Sequence, residues 1–380
     1  MKKAIINTTI VMTDHLIPGG TIVIEDGKIV EFGKKIDTTG MEIYDAKGEY
    51  TGPGLMDVHT HAGNRIRFNN DPYTPAAYLL EHGVTDIFPA MSYGRNAEQL
   101  VEDVRRCKEA MKSGKAPNIT ALYMEGPYLN VNFGAGRVNH PWAPTVALER
   151  FKAVVDEAYD VARMWCIAPE RENIDEFVNY VKEKNPDALF AVAHSEAEPW
   201  MIERFMPLGM VNVTHHTNAT GTLYKYPECR TACVDETALY NDELYTELIC
   251  DKVGIHVQPY ILRLTKKIKG DDKIILISDS TDGAGPIPEK GDYSEADDLN
   301  FDFEGEISGT KITIDRACRN MMVHTGASLC QVFKYASTNP ATMLGIPDKG
   351  KIARGYVANL VTVDHEFNVM GVYINGKKYK

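Results

Sequence analysis

The sequence predicts an α/β protein: a (β/α)8 TIM-type barrel with a small β-sandwich domain formed from both chain termini. Three observations predict it. Eight short apolar runs alternate with amphipathic helical stretches about every thirty residues through the middle of the chain. Imidazole or carboxylate side chains stand where five of those runs end. Both ends of the chain instead alternate with a period of two and contain no convincing helix.

The elements follow in order. At the N-terminus, strand patterns cover Ala4 to Met12, Thr21 to Ile24 and Lys28 to Phe32, the last after a hairpin-type Asp26-Gly27 turn. Near the C-terminus, Ala358 to Asp364 and Gly371 to Gly376 repeat the pattern. These ends predict a β domain from residues 1–52 and 347–380, leaving 53–346 for the barrel. The apolar runs are Gly54 to Val58, Val84 to Phe88, Ile119 to Met124, Ala162 to Ile167, Leu189 to Ala193, Met210 to Thr214, Leu248 to Asp251 and Lys273 to Ser278. Intervening segments such as Ala97 to Lys112, Thr145 to Val161 and Ile174 to Lys184 put apolar residues at helical spacing and charges on the opposite face. Parallel strands buried on both faces read as continuous apolar runs. A doubly wound open sheet gives a similar alternation, and the placement of polar residues favours the barrel.

Composition excludes whole classes of function. The chain has 380 residues, with 41 Lys+Arg against 53 Asp+Glu, a formal charge of −12. No basic stripe offsets it, so no nucleic-acid partner is expected. No apolar run approaches the roughly 20 residues that span a bilayer, so no membrane partner is expected either. The seven cysteines are scattered, and no secretory segment precedes them, which predicts a reduced, cytoplasmic protein.

Barrel active sites lie at the C-terminal ends of the strands. His59 and His61 occupy alternate positions at the end of the first run, so both imidazoles face one side. The third run ends in Glu125, the fifth in His194, the sixth in His215 and the eighth in Asp279. Any one of these alone reads most simply as a hydrogen-bonded structural residue. All six in one barrel mouth without a cation would leave several desolvated or mutually repelling groups, each costing several kcal/mol by typical estimates. A ligand set of imidazole and carboxylate suits zinc or ferrous iron better than calcium or magnesium.

These motifs resemble the amidohydrolase superfamily and, within it, the N-acetylglucosamine-6-phosphate deacetylases. The resemblance spans nearly the whole chain, from Pro53-Gly54-Leu55-Met56-Asp57-Val58-His59 through Glu125-Gly126-Pro127 and Thr214-His215 to Gly254-Ile255-His256-Val257 and Ser278-Asp279-Ser280. It continues into Ile307-Ser308-Gly309-Thr310, Asn339-Pro340-Ala341 and Gly350 to Leu360. The Glu-Gly-Pro element is its most diagnostic part. It implies that Glu125, His194 and His215 hold the more constant metal, with His59, His61 and a bridging Glu125 holding a second. The cofactor is then one or two divalent ions, zinc or iron, per subunit. Trp165-Cys166-Ile167-Ala168-Pro169 at the fourth strand end offers no lysine for carboxylation, which argues against the cyclic-amide hydrolases.

The resemblance further implies that Asp279 takes a proton from the attacking water and passes it to the departing amine, while His140 polarises the amide carbonyl. By position alone His140 reads equally well as a surface-loop histidine. The implied substrate contacts are His140, Asn218, Ala219, Arg230, His256 and Ser308. Arg230, Lys225 and Arg137 are each candidates for the anion, and Asn218 and Ser308 could equally be turn-formers. The loop from Asn218 to Arg230 is longer than the family's, and Gly136-Arg137-Val138-Asn139-His140 replaces its usual approach to the loop histidine.

The implied function is metal-dependent hydrolysis of the N-acetyl group of N-acetylglucosamine 6-phosphate to glucosamine 6-phosphate and acetate. The implied partners are a small amino-sugar phosphate and a second copy of the chain in a homodimer. Two alternatives stand beside it: a deacetylase of another N-acyl amino sugar such as N-acetylgalactosamine 6-phosphate, and a non-catalytic oligomeric scaffold. Elsewhere, His216 reads as structural, Cys229 and Cys233 lack the second pair of a zinc knuckle, and Asp282 to Pro286 read as a loop over the mouth. The acidic run Asp292 to Asp302 reads as a solvated surface loop.

Overall fold

The computed structural model describes residues 2–135, 140–221, 223–283, 285–289 and 291–380, and only the backbone of 223–225. Eight parallel strands run in sequence order: β1 (Leu55–Thr60), β2 (Val84–Ser92), β3 (Leu122–Glu125), β4 (Ala162–Ile167), β5 (Leu189–Val192), β6 (Met210–Val213), β7 (Tyr245–Ile249) and β8 (Ile274–Ile277). Every residue of β1, β3, β7 and β8 is buried, as expected of strands covered on both faces. The barrel expectation holds, with shifts at strand ends: the second strand runs on to Ser92 and the third begins at Leu122 rather than Ile119. The seventh strand begins at Tyr245 rather than Leu248, because Thr246 and Glu247 are polar in the sequence yet fully buried.

No backbone ladder joins β1 to β8. The seam is closed at the C-terminal rim instead. Ser278 Oγ donates to Asp57 Oδ2 at 2.6 Å, and Asp279 N donates to His59 O at 3.0 Å. The amides of His61 and Ala62 both donate to Ser280 O, at 2.9 and 2.8 Å. Burial pushes the Asp57 carboxyl up to about 7, against the opposing pull of the Ser278 hydrogen bonds.

Helices cover the outside. The helix Ala97–Ser113 starts at Asn96, which forms a capping box with Gln99, and stops at Gly114 in the left-handed region. Its buried residues Leu100, Val104, Cys107 and Ala110 recur every three or four positions and face the barrel. None of the helices among the described residues is long and apolar enough to cross a membrane.

The chain ends build a second, eight-stranded sheet. Lys3–Val11 is its hub, pairing antiparallel with Leu16–Glu25 and parallel with Glu42–Asp45 and Tyr50–Pro53. The C-terminal Leu360–Val363 pairs with Tyr50–Pro53 and Val369–Ile374 with Leu360–Val363. Ile29 on one flank and Tyr373 on the other share a core with Ile5, Ile10, Ile22 and Leu360, so the sheet folds over on itself. Other apolar residues of the sheet, Val11, Val361, Val363 and Val372 among them, merge into the barrel core.

Gly54 is the single residue between the two sheets. Its N–H donates to Asn359 O at 2.8 Å and its carbonyl accepts from Ser337 Oγ at 2.9 Å. A Cβ there would lie 2.1 Å from Thr85 Oγ1, itself on the strand beside it. Gly54→Ala is therefore expected to destabilise by about 1–3 kcal/mol through overpacking. Thermal unfolding should show a midpoint lowered by several degrees; an unchanged midpoint would contradict the close approach.

Candidate active site

The rim of the barrel gathers every metal-ligand candidate. Glu125 is the last residue of β3, while His194, His215 and Asp279 each lie two residues beyond the ends of β5, β6 and β8. All three of the latter have left-handed backbones, with φ of 42°, 32° and 44°. Such conformations cost non-glycine residues roughly 1–3 kcal/mol each and persist only where the surroundings hold them. Here neighbouring strand ends do so. Asn130 N donates to His194 O, His216 N to Glu247 O and Asp279 N to His59 O, while Thr310 N donates to Asp279 O, all at 2.8–3.0 Å.

The groups form two triads. Glu125, His194 and His215 make one, and His59, His61 and Asp279 the other, with ligand atoms in each mutually within 4.8 Å. Glu125 joins them. Its Oε1 lies 3.0 Å from His194 Nε2 and 3.5 Å from His215 Nε2, and its Oε2 3.2 Å from His61 Nε2. Asp279 Oδ1 lies 3.4 Å from His61 Nε2 and 3.7 Å from His59 Nε2.

The outer nitrogens of His61 and His215 are held from behind. His61 Nδ1 bonds to Ala90 O at 3.1 Å and His215 Nδ1 to Asn218 O at 3.1 Å. A carbonyl only accepts, so both rings carry hydrogen on Nδ1, and each in its neutral form offers the Nε2 lone pair inward. His59 Nδ1 faces the carboxylate of Glu247 at 3.4 Å, and its Nε2 is buried with no hydrogen-bond partner. His194 backs onto Gly134, where a Cβ would come within 2.4 Å of Nδ1. Gly134 has φ of 90°, so both space and backbone demand glycine.

Electrostatics agree with a cation site. Burial acts to raise Glu125 and Asp279, but the imidazoles around them outweigh it and hold both below the usual carboxylate range. Burial acts to lower His61, but Asp279 and Glu125 push it up to about 9. The donor set, the inward Nε2 atoms and the unpartnered His59 Nε2 all fit a divalent ion in each triad.

A cavity of about 460 Å³ opens over the site. His61, Glu125, His194, His215 and Asp279 line its floor, and Asn218, Ala219, His256 and Ser308 its walls. His59 lies behind the floor, fully buried. His256 is kept in place by Asp251, whose carboxylate accepts from the amides of Gly254, Ile255 and His256 at 2.7–2.9 Å.

Arg230 stands apart from this chain's own cavity. It lies on an exposed hairpin, Leu223–Tyr226 with Cys229–Thr231, where it pairs with Glu236 and does not line the cavity. Among the described residues the guanidinium that lines it is Arg67, beyond β1, paired with Asp282 at 2.8 Å. Arg137 and the side chain of Lys225 lie outside the described residues. The acidic run also differs from expectation. Leu299–Phe301 pairs with Ile307–Thr310, Ala296, Leu299 and Phe301 form a small core, and Asp302 and Glu306 reach the cavity.

His140 is buried rather than a surface-loop residue. Its ring stacks on Tyr93 at 5.0 Å, and Tyr93 packs edge-on to His194 at 4.9 Å. His140 Nδ1 accepts the Trp142 N–H at 3.1 Å, so the neutral ring carries its hydrogen on Nε2, which is buried without a partner among the described residues. Burial, helped by Arg171 and His194, pushes its pKa down to about 4. His216 is buried on the other side, its Nδ1 3.5 Å from Asp235, and Cys229 and Cys233 are both free.

A parallel eight-stranded barrel with two imidazole–carboxylate triads at its C-terminal rim defines a class, the metal-dependent hydrolases of barrel fold. Residues 51–378 match the sequence profile of the Amidohydrolase family, and the chain belongs to that family. It is 27% identical to the N-acetylglucosamine-6-phosphate deacetylase of Bacillus subtilis, over 95% of this chain and 93% of that one. It is 25% identical to the N-acetylgalactosamine-6-phosphate deacetylase of Escherichia coli O157:H7, over 90% and 91%. The crystal structure of N-acetylglucosamine-6-phosphate deacetylase from Thermotoga maritima superposes with a TM-score of 0.83 at 25% identity, covering 99% of both chains.

The tautomer of His140 can be read directly. Its ¹⁵N shifts should report a neutral ring with hydrogen on Nε2 and no titration between about pH 5.5 and 8. Titration near the ordinary value of about 6.5 would contradict the burial assigned to it.

Proposed function

We propose that the chain is a deacetylase that hydrolyses the N-acetyl group of N-acetylglucosamine 6-phosphate, giving acetate and glucosamine 6-phosphate. The observation that carries this reading is the double triad bridged by Glu125 on the floor of a cavity large enough for an amino sugar. The named relatives supply the substrate class. A scaffold that had lost its chemistry has no use for buried, strained ligands, so the enzyme reading is preferred.

Glu125, His194 and His215 would hold one divalent ion and His59, His61 and Asp279 the other, zinc or ferrous iron by donor chemistry. A bound ion supplies polarisation of the amide carbonyl and lowers the pKa of a nearby water. Asp279, at the cavity floor, accepts the proton of the attacking water as its oxygen bonds to the acetyl carbon. Asp279 then delivers that proton to the nitrogen as the C–N bond breaks. His140 offers its Nε2–H to the carbonyl oxygen, where negative charge grows, and its low pKa keeps it a neutral donor at pH 7.

For the sugar phosphate, Arg67 and His256 are the donors best placed on this chain's own cavity wall, with Arg230 on its projecting hairpin available to a second copy in a homodimer. The seven free cysteines suit a reducing, cytoplasmic setting. The galactosamine epimer is the second reading, favoured by the Escherichia coli relative.

Acetate release from glucosamine and galactosamine N-acetyl derivatives, each with and without the 6-phosphate, tests the proposal. The 6-phosphorylated glucosamine derivative should be the best substrate, and equal rates without phosphate would remove the anion site. Asp279→Asn should lower kcat by about 10²–10⁴-fold with metal content retained in the Glu125 triad. Arg67→Ala should raise KM for the phosphorylated substrate and leave the unphosphorylated one unaffected; equal losses on both would take Arg67 out of phosphate recognition.

A further inference from the structure

Glu247 is the least expected residue in the barrel. It stands in the middle of β7 with no exposed surface, at an interior level where branched apolar side chains usually stack. A carboxylate there is costly unless its oxygens are fully used. They are. Oε1 accepts from Asn212 Nδ2 at 2.6 Å and from Tyr123 OH at 3.1 Å. Oε2 faces His59 Nδ1 at 3.4 Å and the backbone N–H of His215 at 3.4 Å.

Three of these four partners bear on the ligand cluster. His59 is a ligand candidate gripped twice, by Glu247 at its Nδ1 edge and by the Tyr123 ring stacked on its face at 4.7 Å and 29°. Tyr123 is fixed in turn, since its hydroxyl also bonds to Thr214 Oγ1 at 2.6 Å. His61 and His215 use backbone carbonyls for the same purpose. Among those three rings, His59 alone depends on a side chain, and on a charged one. A carboxylate behind an imidazole fixes the tautomer with hydrogen on Nδ1, orients the ring and makes Nε2 a stronger donor.

We propose that Glu247 is a positioning residue for the His59–His61–Asp279 half of the site, committing His59 Nε2 to a divalent ion and so setting whether this protein holds a second ion. The inference rests on the two-ion reading above. Glu247→Gln keeps the shape but places an amide donor beside His59 Nδ1, which favours the opposite tautomer and turns an N–H toward the ion.

The test is zinc binding to the metal-stripped full-length protein, read by equilibrium dialysis with elemental analysis. The unmodified protein should bind two ions. Glu247→Gln should weaken one of them about 10–100-fold and leave the other within threefold. In a double-mutant cycle with His59→Asn, the Glu247 substitution should cost that ion nothing further, because the ring it orients is gone. A merely structural role would weaken both ions together or add in the cycle, and either result overturns the proposal, as does an unchanged second ion. Two ions in the unmodified protein with no effect of Glu247→Gln removes this inference alone; one ion, insensitive to His61→Asn, removes the two-ion reading with it. If Glu247→Gln does not fold, ¹⁵N shifts of His59 in the zinc-loaded unmodified protein decide. Hydrogen on Nδ1 with the ion on Nε2 supports the proposal, and the reverse overturns it.

Discussion

The closure of the barrel between its first and eighth strands is the constraint on which the site depends. His59 and His61 belong to one side of that seam and Asp279 to the other, so their triad exists only if the seam shuts in register. The bonds that shut it are the same ones that aim the ligands. Asp279 N donates to His59 O, and Ser280 O takes the amides of His61 and Ala62. Behind them the Ser278 hydroxyl satisfies buried Asp57 at 2.6 Å, removing the cost of an unpaired carboxyl one layer below the metal candidates.

Concentrating charge at this rim has a price that the fold meets locally. Glu125 and Asp279 both come within 3.4 Å of His61 Nε2. Two like charges sharing one imidazole in a site screened from water repel more strongly than they would on the open surface. Positive charge between the carboxylates reverses the sign of that interaction, which is why both are held ionised and His61 is pushed toward protonation. The left-handed backbones at His194, His215 and Asp279 are a second local cost, held in place by hydrogen bonds to adjoining strand ends.

Much of this was legible in the sequence because the barrel converts chain position into place. A ligand-type residue at the end of a buried apolar run must arrive at the rim, and the His59/His61 alternation puts both rings on one face. Glu247 was not legible, because a charged residue ahead of Leu248 reads as the end of a loop; only Tyr123, Asn212, His59 and the His215 amide, brought from three other strands and their ends, make its burial tolerable. Arg230 was legible as a cation but not in its placement. A cation at a familiar distance from the sixth strand suggests a ligand for an anion, but the longer loop folds into its own hairpin and turns the guanidinium to Glu236. Arg67 and the inward turn of Asp302 and Glu306 depend on loops packing across the mouth, which no local pattern encodes.

The acidity of the whole chain bears on what the cavity can hold. With a net charge of −12 and Glu125, Asp279, Asp302 and Glu306 lining the cavity, the long-range field repels a sugar phosphate. Binding must then come from short-range cations in a desolvated setting, where each counts for more than on the open surface. Arg67 is one, but Asp282 already balances it. Divalent ions in the triads would therefore serve recognition as well as chemistry. By cancelling the carboxylates at the floor they would leave Arg67 and His256 as the donors on the cavity wall. Any loss of the ion beside His59 would be felt first as weaker binding of an anion, because the uncompensated charge of Asp279 would then face it.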